Sequence, residues 1–211
     1  MIVRNDAAAT AANILGSESL FRLGFAADLL GGLTYIGVSV LLYDLLKPVN
    51  RSLSLLAAFF GLAGVASGAG ASVTLLAPLV LSGGAPYLTG FTTDQVQGLA
   101  YAFLRLHAQA FNVAMVFFGF QCMSAGYLIA RSTFLPRILG VLLAVGGLSY
   151  VINSLASFVS PTFAGYVAPF ILPLVLLGEG SLTAWLIVKG VDAQRWNEHT
   201  VGATYGTVRS A

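Results

Sequence analysis

Five long apolar segments constrain this chain more than any other feature. They cover about residues 21–46, 53–81, 95–130, 138–158 and 167–188. Each is long enough to cross about 30 Å of hydrocarbon as a helix. Because lipid offers no hydrogen bonds, a crossing segment must pair its own backbone groups, as a helix does. The sequence therefore predicts an all-α, polytopic transmembrane helical bundle with five spans.

The charge composition supports the same class. Only 9% of the residues are charged and 57% are hydrophobic, whereas about 25% are charged in soluble domains. The net charge of +2 is too small to indicate a nucleic-acid partner. Basic residues mark cytoplasmic loops, and seven of them fall on one side of the five spans: Lys47, Arg51, Arg131, Arg137, Lys189, Arg195 and Arg209. We therefore expect the N-terminus outside and the C-terminus in the cytoplasm.

The segment pattern divides the chain into three parts. Residues 1–20 are predicted to be a surface segment with a short amphipathic helix, 21–190 the five-helix transmembrane domain, and 191–211 a polar cytoplasmic tail. Ser52 is the expected N-cap of the second span. Thr92 and Gln95 fit a capping box at the start of the third span.

Glu179 is the residue that most indicates function. It is a carboxylate inside the fifth apolar segment, ten residues from Lys189 and therefore roughly 15 Å into the membrane. Burying a charge there costs about 2.5–3.5 kcal/mol on insertion scales, so such residues normally face a protein interior or a wet cavity. Gly178 and Gly180 flank it, and Pro173 is expected to kink the helix. A buried structural pair is the alternative.

Further polar residues are predicted to lie in the outer half of the membrane, above Glu179. Together they indicate an outward-facing pocket lined by Glu179, Arg105, His107, Asp28, Asn112 and Asn153. In that pocket Arg105 would bind an anionic group, Asp28 would hold Arg105, and Glu179 would exchange a proton. Each residue also has a structural alternative: a headgroup anchor for Arg105, a charge partner for Asp28, and hydrogen bonds between helices for the other three.

The sequence holds no motif of a familiar enzyme or cofactor site. The phosphate-binding, dinucleotide-binding, zinc-protease and serine-hydrolase patterns are absent, so we lean against an enzyme. One cysteine, Cys122, and two histidines cannot build a metal site of several thiols or imidazoles. We therefore expect no metal and no cofactor.

Small residues recur at helical spacing in two spans. Gly64 with Gly68 and Gly140 with Ala144 are each four residues apart, which lets helix backbones approach closely in lipid. Packing inside one chain is the favoured interpretation, and a dimer interface is the alternative.

Several stretches carry a family resemblance: 6–15, 20–24, 26–29, 42–53, 103–107, 116–119, 126–129, 131–132, 134–140 and 178–179. On these residues the chain resembles a bacterial multi-pass membrane family known as domain of unknown function 4386. The resemblance implies a bacterial inner-membrane protein with no established activity. It also implies one more apolar helix before the Ala-rich segment, which this chain lacks, so the start is truncated or a partner supplies that span. Relatives tend to have His at the position of Gln121, and the glutamine weakens a haem-like pairing with His107.

Two function hypotheses follow. In the first, the protein binds or moves a small molecule, lipid or proton in the polar pocket around Glu179. In the second, it is a non-catalytic accessory subunit of a larger membrane complex. The expected partners are membrane lipids, a second copy or other membrane subunits.

Overall fold

The described part of the chain consists of helices joined by short turns in the computed structural model, which describes residues 1–83 and 86–208 and leaves out the side chains of 87 and 202–208. Arg209, assigned above to the cytoplasmic side, lies outside the described residues. The elements in order are α1 (Ala7–Leu15), α2 (Glu18–Leu46), α3 (Arg51–Ser72), a 3₁₀ turn (Val73–Leu76), α4 (Ala77–Ser82), a second 3₁₀ turn (Pro86–Leu88), α5 (Thr93–Arg131), α6 (Arg137–Val159), α7 (Pro161–Val175), a π-helical segment (Leu176–Gly180), α8 (Ser181–Val188) and α9 (Ala193–Val208).

Among the described residues, five helical stretches are long and apolar enough to cross a membrane, which confirms the predicted fold class. They are Glu18–Leu46, Arg51–Ser82, Thr93–Arg131, Arg137–Val159 and Pro161–Val188. The second combines α3, a 3₁₀ turn and α4, so the segment predicted as one helix is interrupted. The third has 39 residues, roughly 58 Å at 1.5 Å per residue, and exceeds the thickness of the hydrocarbon core. The direction in which the spans cross stays a prediction.

Local hydrogen bonds explain two helix starts. The capping box before α5 is confirmed. The backbone N–H of Gln95 donates to Thr92 Oγ1 at 3.3 Å, and the backbone N–H of Thr92 donates to Gln95 Oε1 at 2.9 Å. The predicted cap at Ser52 is wrong. Since α3 begins at Arg51, Ser52 lies in its first turn, and Asn50 Oδ1 accepts the Leu53 N–H at 2.9 Å instead.

The described residues form two compact units. The first comprises Met1–Thr34 and Val65–Val113. Its short helix α1 is the one predicted for residues 1–20, with Asp6 accepting the Ala9 N–H at its start. Thr10, Ala11 and Ile14 are buried on one face of α1, and α1 contacts α4.

The second unit comprises Tyr35–Gly64 and Ala114–Ala211. Its core joins the end of α2 to α5, α6 and α8. The buried side chains of this core are Leu46, Cys122, Ala125, Leu128, Ile129, Phe134, Leu135, Leu139, Leu143 and Leu182. Within this unit α6 packs against α7, the π-helical segment and α8.

Helices α5 and α6 approach each other through glycines. Gly119 faces Gly147, and Gly126 faces Gly140, so each helix contributes two glycines seven residues apart. A Cβ atom at Gly126 would lie 2.5 Å from the Gly140 carbonyl oxygen, and one at Gly147 would lie 2.6 Å from the Gly119 carbonyl oxygen. Only glycine permits this backbone contact, which brings extended van der Waals surface together in lipid.

These glycine contacts also show where the small-residue pairs pack. Gly140 and Ala144 both lie against Gly126 of the same chain, and Gly64 faces the ring of Phe118. These residues therefore pack within one chain, as favoured from the sequence.

Residues Ala193–Val208 of the polar tail form helix α9. In α9, the Trp196 indole N–H donates to the Leu45 carbonyl oxygen at 2.9 Å. Arg195 Nη1 donates to the Thr133 carbonyl oxygen at 3.2 Å, and Asp192 Oδ1 accepts the Arg195 N–H. These bonds attach the start of α9 to the second unit.

The close contact of Gly126 with α6 predicts that a larger residue at this position destabilises the protein. Gly126→Ala places a methyl group against the backbone of α6, 2.7 Å from the Ala144 nitrogen as well. The helices must move apart, so we expect the free energy of unfolding to fall by about 1–3 kcal/mol. Thermal unfolding of the purified protein in detergent measures this change.

Gly37→Ala is the matched control, because nothing lies within 4 Å of a Cβ at Gly37 in α2. Its melting temperature should be unchanged or slightly higher, since alanine is the better helix former by about 0.5–1 kcal/mol. Equal melting temperatures for the two variants would contradict the close α5–α6 contact.

Candidate functional site

The fifth span changes its helix type just before Glu179. Pro169 and Pro173 lie inside α7, and Pro173 has no N–H to donate to the Pro169 carbonyl group. Three residues later the backbone becomes a π-helix, Leu176–Gly180. Such π-helical turns occur frequently at functional sites. This widened turn carries Glu179, and the kink predicted at Pro173 stays a prediction.

The two glycines beside Glu179 have different surroundings. Gly178 is buried, and a Cβ atom there would lie 2.7 Å from the Leu142 carbonyl oxygen of α6. Gly180 is exposed, with nothing within 4 Å of a Cβ position. The widened turn is therefore held against α6 on one side of Glu179 and is open on the other.

Three polar side chains accompany Glu179 in the second unit. The Cys122 thiol of α5 donates to Glu179 Oε1 at 3.5 Å. Tyr150 of α6 also interacts with the Glu179 carboxyl group. Tyr35 of α2 lies close enough to Cys122, Tyr150 and Glu179 for electrostatic interaction. We call Tyr35, Cys122, Tyr150 and Glu179 the Glu179 cluster.

The Glu179 cluster contains an acid without a basic partner. Among the described residues the ion pairs join Arg22 to Glu18, Lys47 to Asp44 and Arg195 to Asp192, and none includes Glu179. Its neighbours are a thiol and phenol groups, which are weak hydrogen-bond donors compared with a cation. The arrangement can accept a proton or a positively charged group.

A second polar pair lies next to the cluster along α5. Gln121 Nε2 donates to Ser39 Oγ at 3.1 Å, and both side chains are buried. Gln121 Oε1 is buried and has no hydrogen-bond partner among the residues that the structure describes. Gly61 makes room for the pair, since a Cβ there would lie 2.5 Å from Ser39 Oγ and 2.6 Å from Gln121 Nε2.

The six residues predicted to line the site divide between the two units. Glu179 and Asn153 belong to the second unit, and Asp28, Arg105, His107 and Asn112 belong to the first. Asn153 lies in α6, and its side-chain oxygen is buried with no partner in the described part of the chain. Their shared pocket stays a prediction.

In the first unit, two of the predicted residues have structural partners. Asp28 Oδ2 accepts a hydrogen bond from the Ser72 hydroxyl group. The Nδ1–H of His107 donates to the Ala71 carbonyl oxygen at 2.9 Å, and its ring stacks on Phe111 at a centroid distance of 6.0 Å. The His107 contact fits its structural alternative, a hydrogen bond between helices. Asp28 is bonded to a hydroxyl group, so the pair with an arginine given as its structural alternative is not formed within the described residues.

The other two residues of the first unit are less engaged. Arg105 is exposed, and within residues 1–83 and 86–208 it forms no ion pair, so the expected pair with Asp28 is not formed. Asn112 is half-buried on α5.

The first unit also contains a cavity of about 320 Å³. Side chains from α1, α4, the turn after Pro86 and α5 line it, and these include Leu15, Ser82, Thr89, Phe91 and Gln97. None of the six predicted residues lines this cavity.

Neither Tyr35 nor Tyr150 was predicted from the sequence to lie at the site, and Cys122 was identified there only as a single thiol. A usable signal exists for the two tyrosines. Membrane tyrosines concentrate at the ends of spans, whereas Tyr35 and Tyr150 lie inside α2 and α6. A tyrosine far from the ends of a span indicates a polar partner for its hydroxyl group.

Comparison with known proteins agrees with the resemblance noted from the sequence. The family described as "Domain of unknown function (DUF4386)" matches residues 1–190. The chain belongs to this family. A relative from Archaeoglobus fulgidus, described as an uncharacterized protein, is 26% identical over 160 residues, which cover 74% of this chain and 76% of the relative. No solved structure matches. The additional first helix and the bacterial inner membrane stay predictions.

Because Gly61 lies against the Gln121–Ser39 pair, substitutions at Gly61 and Gln121 should have non-additive effects on stability. Gly61→Ala forces its methyl group into both side chains, so we expect about 1–3 kcal/mol of destabilisation. Gln121→Ala in the same chain removes the larger obstacle, and the double variant should be more stable than the sum of the two single changes indicates.

Thermal unfolding of the three variants and the unchanged protein gives the coupling energy. Gly37→Ala is again the control for adding a methyl group to a helix. Additive effects of Gly61→Ala and Gln121→Ala would contradict the contact.

Proposed function

We propose that this multi-pass membrane protein binds a small molecule or a proton within the membrane, with the Glu179 carboxyl group as its polar anchor. The observation that carries this proposal is an acid in a span that has no basic partner among the described residues and that lies on a π-helical turn. A structural role would be expected to provide a cation or strong donors, because an unpaired acid in lipid costs several kcal/mol.

The chemistry of the Glu179 cluster supports an exchangeable occupant. A thiol at 3.5 Å is a weak donor, so a ligand with a charged or strong donor can replace it at the carboxylate with a gain in free energy. Cys122 and Tyr150 can donate to the carboxylate when the ligand is absent. The Glu179 carboxylate therefore has a hydrogen-bond donor both when the ligand is bound and when it is absent.

The predicted orientation adds a direction to the proposal. With the N-terminus outside, the polar residues of α2 and α5 lie toward the outer surface. Arg105, exposed and outside the ion pairs of the described residues, is then available to the phosphate group of a lipid. The roles of Asp28, His107, Asn112 and Asn153 as ligand-binding residues stay predictions.

A second candidate is the accessory subunit. One observation favours it: α2 buries only Ser39 and Leu46 among its 29 residues. A helix this exposed has a large apolar surface available to another membrane chain as well as to lipid. In this case the Glu179 cluster would have no ligand of its own.

Purification from the native membrane separates the two candidates. We expect native mass spectrometry of the gently extracted protein to detect one chain or a homo-oligomer with a bound small molecule. Glu179→Gln should remove at least 90% of that molecule, because the neutral amide loses the charge that anchors it. If a proton is the occupant, the extracted protein carries no molecule, and proteoliposomes should show proton flux that Glu179→Gln abolishes.

Asp44→Asn is the matched control, since Asp44 is an exposed acid paired with Lys47 at 2.6 Å, and it should change neither readout. Stoichiometric co-purification of other membrane subunits, with no effect of Glu179→Gln on bound molecules or proton flux, would overturn the proposal. That result would support the accessory subunit.

A further inference from the structure

The surroundings of Glu179 narrow the class of ligand. This inference rests on the proposed function and adds the charge and character of the molecule. The carboxylate has no cationic partner in the described part of the chain. A positively charged ligand supplies the missing partner, whereas an anionic ligand would add a second negative charge beside it.

An inorganic metal ion fits the site poorly. Metal ions in proteins need several carboxylate, thiolate or imidazole ligands. No group of three or more such side chains occurs within the described residues. The cluster offers one carboxylate and one thiol, with phenol groups as the remaining polar contacts.

Two tyrosines accompany the carboxylate. Tyr150 interacts with the Glu179 carboxyl group, and Tyr35 is within range of electrostatic interaction with Glu179 and Tyr150. The ring of Tyr35 packs edge-on against Phe118 at 4.8 Å between centroids. Aromatic faces attract organic cations, most strongly where water is excluded. One carboxylate with two tyrosines is a combination that favours an ammonium or phosphonium group over a hydrated small ion.

The open side of the turn indicates how such a ligand enters. Gly180 is exposed with free space at its Cβ position, and Leu176 and Leu177 are 62% and 56% exposed. In a spanning helix these residues border lipid tails. A ligand that arrives through lipid needs a large apolar body around its charge, as lipophilic cations have.

We propose that the Glu179 cluster binds a lipophilic organic cation, with the Glu179 carboxylate pairing its positive charge, the rings of Tyr35 and Tyr150 contacting its apolar body, and the entry beside Gly180.

Tetraphenylphosphonium is the probe, and tetraphenylborate, of similar shape and opposite charge, is the matched ligand control. Equilibrium dialysis of the purified full chain in detergent should give one saturable phosphonium site per chain. Tetraphenylborate should bind at least tenfold more weakly. Glu179→Gln should weaken phosphonium binding at least tenfold, and Glu179→Asp should retain part of it.

Two further variants test the individual roles. Tyr150→Leu removes the ring and should weaken phosphonium binding several-fold, whereas Tyr150→Phe keeps the ring and should weaken it less. Asp44→Asn removes an exposed carboxylate and should leave binding unchanged.

A melting temperature within a few degrees of the unchanged protein shows that each variant is folded.

Equal binding of the two probes, or phosphonium binding unaffected by Glu179→Gln, would overturn the inference. A neutral molecule that co-purifies and depends on Glu179, without phosphonium binding, would also overturn it and leave the proposed function standing. The proposed function fails as well if Glu179→Gln changes neither the amount of co-purified molecule, nor the proton flux, nor the binding of phosphonium.

Discussion

The backbone contact between α5 and α6 is the constraint on which the second unit depends. Gly119 and Gly126 lie against Gly147 and Gly140, with no space for a side chain between the two helices. Lipid tails are as apolar as leucine, so helices in a membrane gain little from hydrophobic burial and rely on close packing. This contact also fixes where Cys122 and Tyr150 lie, because each is within three residues of a contact glycine. The position of the Glu179 cluster therefore follows from the glycine contact.

The fifth span holds an acid, Glu179, within an otherwise apolar helical segment. Pro173 leaves one backbone carbonyl group without its usual donor, and the chain widens into a π-helical turn. Gly178 anchors this turn against α6 through a contact that would not admit a Cβ atom. The turn directs Glu179 toward a thiol and a tyrosine on two other helices. This span differs from an ordinary lipid-facing helix in having, at the same place, an irregular backbone and an acid with no basic partner among the residues that the structure describes.

Much of the fold could be predicted because it depends on local properties of the chain. The five spans and the capping box of Thr92 and Gln95 follow from apolar length and local hydrogen bonds. The functional role of Glu179, inferred from the cost of charge in lipid, stays a prediction. The prediction was wrong at Ser52, where Asn50, two residues earlier, competes for the same role. The expected Asp28–Arg105 pair also failed, because the hydroxyl group of Ser72 is the partner of Asp28. In both cases several polar side chains are within reach of the same group, and the sequence alone does not show which of them forms the hydrogen bond.

The sequence by itself determined that this chain is an all-helical membrane protein of five spans with a carboxylate inside the last one, since hydrophobic length and charge are properties of single segments. Only the tertiary structure decided which side chains meet that carboxylate. Tyr35, Cys122 and Tyr150 come from three different helices and lie 144, 57 and 29 residues before Glu179 in the sequence. Their meeting depends on the rotation of each helix about its axis, which the glycine contacts and the π-helical turn set through packing and which no single segment encodes.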